Sequence, residues 1–106
     1  MQKGEQAKAA ETSGDLQEMV HRLVENEPAF RAFLRKRVSD EAVVEDLFQQ
    51  CLLRAVERHH SVNNQESVVT WFYRILRNAV IDYYRSRATQ ESRREVFERE
   101  AEVLHE

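Results

Sequence analysis

An all-α fold, a compact bundle of about four helices with a polar C-terminal helical extension, is what this sequence predicts, and three observations carry it. Apolar residues recur at three- and four-residue intervals along most of the chain, and no stretch alternates as a half-buried strand does. Only 2 Gly and 1 Pro are present, too few for the many turns of a sandwich or barrel. The 106 residues suffice for one domain and are too few for a Rossmann-type enzyme or a TIM barrel.

Taken in order, the polar start Met1 to Gly14 predicts a disordered lead-in. It lacks a signal-peptide core, and no apolar run approaches the ~18 residues of a membrane span, which predicts a cytoplasmic protein with no membrane partner. The first helix is expected over about Asp15 to Glu27, with Asp15 and Glu18 as a capping-box variant and Leu16, Met19, Val20, Leu23 and Val24 facing inward. Pro28 should interrupt it. A second helix, about Ala29 to Val38, carries Phe30, Phe33 and Leu34, and Ser39 and Asp40 look like a break and a new cap. The third, about Glu41 to His59, has Val44, Leu47, Phe48, Cys51, Leu52 and Ala55 as its core stripe. His60 to Glu66 is a polar loop. The fourth helix, about Val68 to Arg87, should bury Phe72, Ile75, Leu76, Ala79, Val80 and Tyr83. The remainder, 89–106, is helix-prone and mostly polar, with only Phe97, Ala101 and Leu104 as a thin apolar line. The domain is therefore expected over 15–88, followed by the start of a linker or an extra helix.

Function is sought opposite the core stripes. At about 100° per residue, Asp46, Gln49, Gln50, Leu53 and Glu57 share the outer face of the third helix. One aliphatic residue among an acid and two amides reads either as a solvated face or as a docking strip for a basic or mixed surface. On the fourth helix the outer face holds Arg74, Arg77, Asn78, Ile81 and Arg85, flanked by Trp71 and Asp82. Arg and Asn form paired hydrogen bonds to phosphates and base edges, and an aromatic ring there can stack on an unpaired base. Arg is also a common surface residue, and Trp71 also suits a core. Charge by segment favours the nucleic-acid reading. The formal net charge of −3 divides into −3 over 1–28, +4 over 71–94 and −4 over 95–106.

Enzyme chemistry has nothing to stand on. His59 and His60 are adjacent and point ~100° apart on a helix, so they do not form a metal pair. The lone Cys51 lies on a core stripe, and no Gly-rich phosphate loop is present. No cofactor, metal site or catalytic residue is expected.

Two blocks, EDLFQQCLLRAVE and TWFYRILRNAVIDYYRSR, carry a resemblance over about Phe30 to Ala88. They resemble the second conserved region of bacterial RNA polymerase sigma factors of the sigma-70 family, extracytoplasmic-function (ECF) type. The resemblance implies a transcription initiation factor domain without catalysis of its own. Its first block would dock on the clamp helices of the largest subunit of the RNA polymerase core, through Asp46, Gln49, Gln50, Leu53 and Arg54. Its second block and the preceding loop would recognise and melt the promoter minus-ten element on the non-template strand. In that role stand Ser61, Asn63, Asn64 and Ser67 from the loop, and Trp71, Tyr73, Arg74, Arg77, Asn78, Asp82 and Arg85 from the helix. Gln50 stands where the family more often has Glu, and the loop is short of aromatic and Gly residues. No helix-turn-helix reader of the minus-thirty-five element is recognisable, so the chain is expected to be a fragment of a longer factor or a one-domain relative. The alternative function is a regulatory or decoy module that binds polymerase or an anti-sigma protein without opening promoters.

Overall fold

A computed structural model describes residues 15–62 and 67–105. The expected lead-in and the loop residues Asn63 and Asn64 lie outside the described residues. The regular elements among those described are all helical: α1 through 15–25, α2 (Glu27–Arg37), α3 (Glu41–Glu57), a 3-10 turn (His59–Ser61) and α4 (Val68–His105).

Asn26 alone separates α1 from α2. Its side-chain amide donates to the Arg22 carbonyl at 2.8 Å, closing α1, while its own carbonyl accepts from Phe30 N–H at 3.0 Å, opening α2. Pro28 does not interrupt the helix as expected. It sits in the first turn of α2, where its missing N–H has no helical partner to lose and its fixed φ already suits a helix. Val38 ends α2 in extended geometry and turns its side chain into the core. The Asp40 carboxylate then caps α3 by accepting from Ala42 N–H at 2.9 Å. On the outside of this corner, Arg35 donates Nε and Nη2 to Glu41 Oε1 at 3.0 and 2.8 Å, which holds the Glu41 carboxyl below its usual pKa. Both partners are exposed, so the pair orients the turn rather than carrying the stability.

The core is built around a cluster of rings. Phe30 of α2 meets Phe72 of α4 at 4.6 Å between centroids, and Phe48 of α3 approaches Phe72 edge-on at 6.3 Å. Tyr73 packs against Phe30 and Phe33 at 5.1 and 5.3 Å. These edge and tilted contacts are the geometry aromatic quadrupoles favour. Leu34, Val44, Leu47, Cys51, Ala55, Leu76, Ala79 and Val80 complete the buried cluster, with Met19 and Leu23 from α1. The expected α1 stripe is thus narrower: Val20 and Val24 are exposed, because the i, i+4 pair Met19 and Leu23 points at the bundle and the two valines lie ~100° round the helix. Arg31 lies over the Phe48 ring and bridges Glu27 and Glu45, tying α2 to α3. The Tyr84 hydroxyl donates to the Arg37 carbonyl and tethers the middle of α4 to the end of α2.

One boundary differs markedly from expectation. The fourth helix does not end near Arg87; α4 runs unbroken for 38 residues, about 57 Å at 1.5 Å per residue. No Gly or Pro interrupts 67–106. Thr89, which begins the stretch read as a separate extension, donates its hydroxyl to the Arg85 carbonyl at 3.0 Å, an i−4 bond from inside a helix. At the other end, α3 stops at Glu57, two residues earlier than expected, and the chain tightens into the 3-10 turn.

Phe72→Ala should destabilise the domain by about 3–5 kcal/mol, since the ring is fully buried and touches two other helices. Asp40→Ala should cost about 1 kcal/mol through loss of the α3 cap. Urea unfolding followed by circular dichroism measures both, and a Phe72→Ala chain with an unchanged midpoint would remove Phe72 from the core.

Candidate functional site

The outer strip of α3 follows from its core stripe. With Val44, Leu47, Phe48, Cys51 and Ala55 held inward, helical geometry sends Asp46, Gln49, Gln50, Leu53 and Glu57 outward, and all five are exposed. Leu53 is 61% exposed, a large apolar side chain amid polar neighbours. The Gln50 amide donates to Asp46 Oδ2 at 2.8 Å. A Glu at position 50 would instead set two like charges at i, i+4, so Gln orders the Asp46 carboxylate on the strip.

The outer strip of α4 is the basic counterpart. Arg74, Arg77, Asn78, Ile81, Asp82 and Arg85 are all exposed. The two rings at its head are placed differently. Trp71 belongs to the core cluster and is only 8% exposed, and Tyr73 is half-buried against Phe30 and Phe33. Their main contacts are therefore within the bundle.

The α4 strip borders a groove against the end of α3. Its volume is about 460 Å³, and Arg54 and Arg58 from the end of α3 face Asn78, Ile81, Asp82 and Arg85 from the middle of α4 across it. Three guanidinium groups against one carboxylate make it electropositive, and Asn78 adds an amide that both donates and accepts. Such a set suits a phosphate beside a base edge. Arg54 is half-buried and lines this groove, whereas the exposed Leu53 and Gln50 of the α3 strip do not line it. Arg58 was not singled out in the sequence. Its only signal is its place four residues after Arg54, which puts both on one side of the α3 end. Ser61 is exposed and donates its hydroxyl to the Arg58 carbonyl at 2.7 Å, closing the 3-10 turn at the groove's α3 side. The exposed Ser67 opens α4, its carbonyl accepting from Trp71 N–H at 3.0 Å.

Residues 23–90, more than half of the chain, match sigma-70 region 2. The chain belongs to the sigma-70 region 2 family. Among curated proteins, it is similar to the RNA polymerase sigma factor SigZ of Bacillus subtilis (strain 168), 31% identical over 61 residues, 58% of this chain and 35% of that protein. It is also similar to the ECF RNA polymerase sigma factor SigX of the same organism, 33% identical over 57 residues, 54% of this chain and 29% of that protein. This region 2 domain thus spans about a third of the length of the curated relatives it matches. No solved structure gives a significant match. The matched segment covers α2, α3 and the first half of α4, so it contains both strips and the groove.

Cys51 of the region 2 domain is fully buried between α3 and α4, its Sγ 3.9 Å from the Ile75 carbonyl. Burial pushes its thiol up to about 11, while nearby Arg54 pulls weakly the other way. A thiol so placed is neither a nucleophile nor an exposed redox sensor. The folded chain at pH 7.5 should therefore react with a disulfide reagent only on unfolding, and its labelling rate should rise to that of a free thiol in denaturant. Rapid labelling of the native chain would contradict the burial. No described helix is long and apolar enough to cross a membrane.

Proposed function

We propose that this domain is the promoter-opening module of an ECF-type sigma factor, docking on RNA polymerase through α3 and capturing the minus-ten element through α4. The observation that carries the proposal is the division of the exposed surface. An uncharged-to-acidic strip with a protruding Leu53 lies on one helix, and an Arg/Asn strip on the next, with the electropositive groove between the two helices.

In this reading Asp46, Gln49, Gln50 and Leu53 meet the clamp helices of the polymerase's largest subunit. Leu53 enters an apolar hollow there, and the Asp46 carboxylate, held by Gln50, accepts from a basic side chain. Arg54 fits the DNA side better than the clamp, because it lines the groove with Asn78. The non-template strand runs along the α4 strip. Arg74 and Arg77 neutralise its backbone, Asn78 and Asp82 read base edges, and Arg54, Arg58 and Arg85 hold phosphate at the groove. Ser61 and Ser67 flank the loop that would receive a flipped base, with Asn63 and Asn64 between them. The domain performs no chemistry; it stabilises the unpaired strand, and the polymerase carries out synthesis.

The two strips are separable by mutation. Asp46→Ala with Leu53→Ala should weaken binding to polymerase core about tenfold or more and leave the unfolding midpoint unchanged, because both residues are exposed. Arg77→Ala with Asn78→Ala should leave core binding intact and weaken capture of single-stranded minus-ten oligonucleotides by the assembled complex. Core binding indifferent to the first pair would remove the docking assignment. Core binding without preference for any minus-ten oligonucleotide would favour the decoy alternative.

Salt dependence gives a second measure. If Arg54, Arg58 and Arg85 each neutralise a phosphate of a single strand, together they contribute a slope of about −2 in log affinity against log salt. The triple Ala variant should show a plot flatter by that amount, and an unchanged slope would place the phosphates elsewhere.

A further inference from the structure

The second half of α4 leaves the bundle and carries a patterned face with no partner among the described residues. Every residue from Tyr84 to Glu100 is exposed. Val96, Phe97 and Val103 are 52%, 71% and 71% exposed, an unusual concentration of large apolar side chains on a solvated helix. At about 100° per residue, Val96 and Val103 lie on one side of a single stripe and Phe97 on the other. Arg93 and Glu100 lie along its centre, one heptad apart. A shallow hollow of about 400 Å³ on this face is lined by Ser92, Arg93, Val96, Phe97 and Glu100. The far side is acidic, with Glu91, Glu95, Glu98 and Glu102 in line, and Arg94 is paired with Glu98 at 3.2 Å.

We propose that this stripe pairs with the same stripe of a second copy of the chain, the two helices antiparallel. The charge pattern selects that occupant and that direction. When two antiparallel helices cross with the dyad between Val96 and Phe97, Arg93 of each copy lies opposite Glu100 of the other along the centre, Val96 meets Val96 on one edge and Phe97 meets Phe97 on the other. Two symmetric ion pairs then sit within an apolar seam. A parallel pair would instead set Arg93 against Arg93 and Glu100 against Glu100, which is unfavourable in a partly dry interface. A helix of this length gains little from propensity alone, and burying its apolar stripe supplies the missing tertiary support. The stripe cannot be covered by the bundle of its own chain, because α4 is continuous and carries it away from the core. The pairing would place the two Asn78 side chains about 55 Å apart along the helix axes, near opposite ends of the dimer and far from the dyad.

With three apolar side chains per helix the interface is small and the association weak, with dissociation on the order of 100 µM. Sedimentation equilibrium of the 106-residue chain from dilute to several-fold above that concentration should show a monomer–dimer equilibrium. Arg93→Glu and Glu100→Arg should each weaken it about tenfold or more, since each creates two like-charge contacts per dimer. Mixing the two single variants, or combining them in one chain, should restore association, because both arrangements recreate opposite-sign pairs. Circular dichroism on each variant confirms that helix content is kept. A chain that stays monomeric throughout the range, or association that ignores the single reversals or is not rescued by the swap, would overturn the proposal.

Discussion

The contact between Phe30 and Phe72 is the constraint from which the rest of the domain follows. Phe72 is the ring where three helices converge, with Phe30 against it from α2 and Phe48 from α3. Once Phe72 points inward, helical geometry sends Arg74, Arg77, Asn78, Asp82 and Arg85 outward, with no freedom left to rotate. Once Phe48 points inward, the same holds for Asp46, Gln49, Gln50 and Leu53. The surface strips of this sigma-70 region 2 domain are thus consequences of its core. Two further contacts keep the register: Arg31 over Phe48 holds α2 on α3, and Tyr84 on the Arg37 carbonyl holds α2 on α4.

The second constraint is the continuity of α4. A net charge of +4 over 71–94 and −4 over 95–106 suggests, on paper, an acidic end folding back over a basic face. A single rigid helix forbids that. Its acidic end begins about 15 Å beyond Arg85 along the same axis, and it cannot bend back without breaking backbone hydrogen bonds. Charges that sum to near zero in the sequence are therefore kept apart in space, and the basic groove keeps its field. The same rod leaves the apolar residues of this end in solvent, with Val96 and Val103 on one edge of a stripe and Phe97 on the other.

Much of this was legible beforehand. The α3 core stripe reads directly from residue spacing, because a helix buried along one side shows its period plainly, and Val44, Leu47, Phe48, Cys51 and Ala55 are all buried. The two outer strips were legible as their complement. Less legible were the positions where one residue has two permitted roles. Pro28 is a breaker inside a helix and a good residue in its first turn, and only the Asn26 junction selects the second. Thr89 can cap a helix or bond back to the i−4 carbonyl, and nothing local distinguishes them. Trp71 sits on the angular edge of α4 between core and outer strip, and its burial depends on the neighbours that close over it. Arg58 follows the end of α3, where its spacing from Arg54 is the one local signal; that this side forms a groove depends on α4 passing beside it.

By itself the sequence determined an all-helical chain, the inward and outward residues of α3 and α4, the segregation of charge along the chain, and the family motifs. These depend on local periodicity and composition, which interactions within a few turns express. Tertiary structure decided which rings are spent on the core, and that Arg54 and Arg58 share a groove with Asn78 and Arg85. Those depend on which surfaces meet across helices far apart in sequence, and only the packing around Phe30, Phe48 and Phe72 determines that.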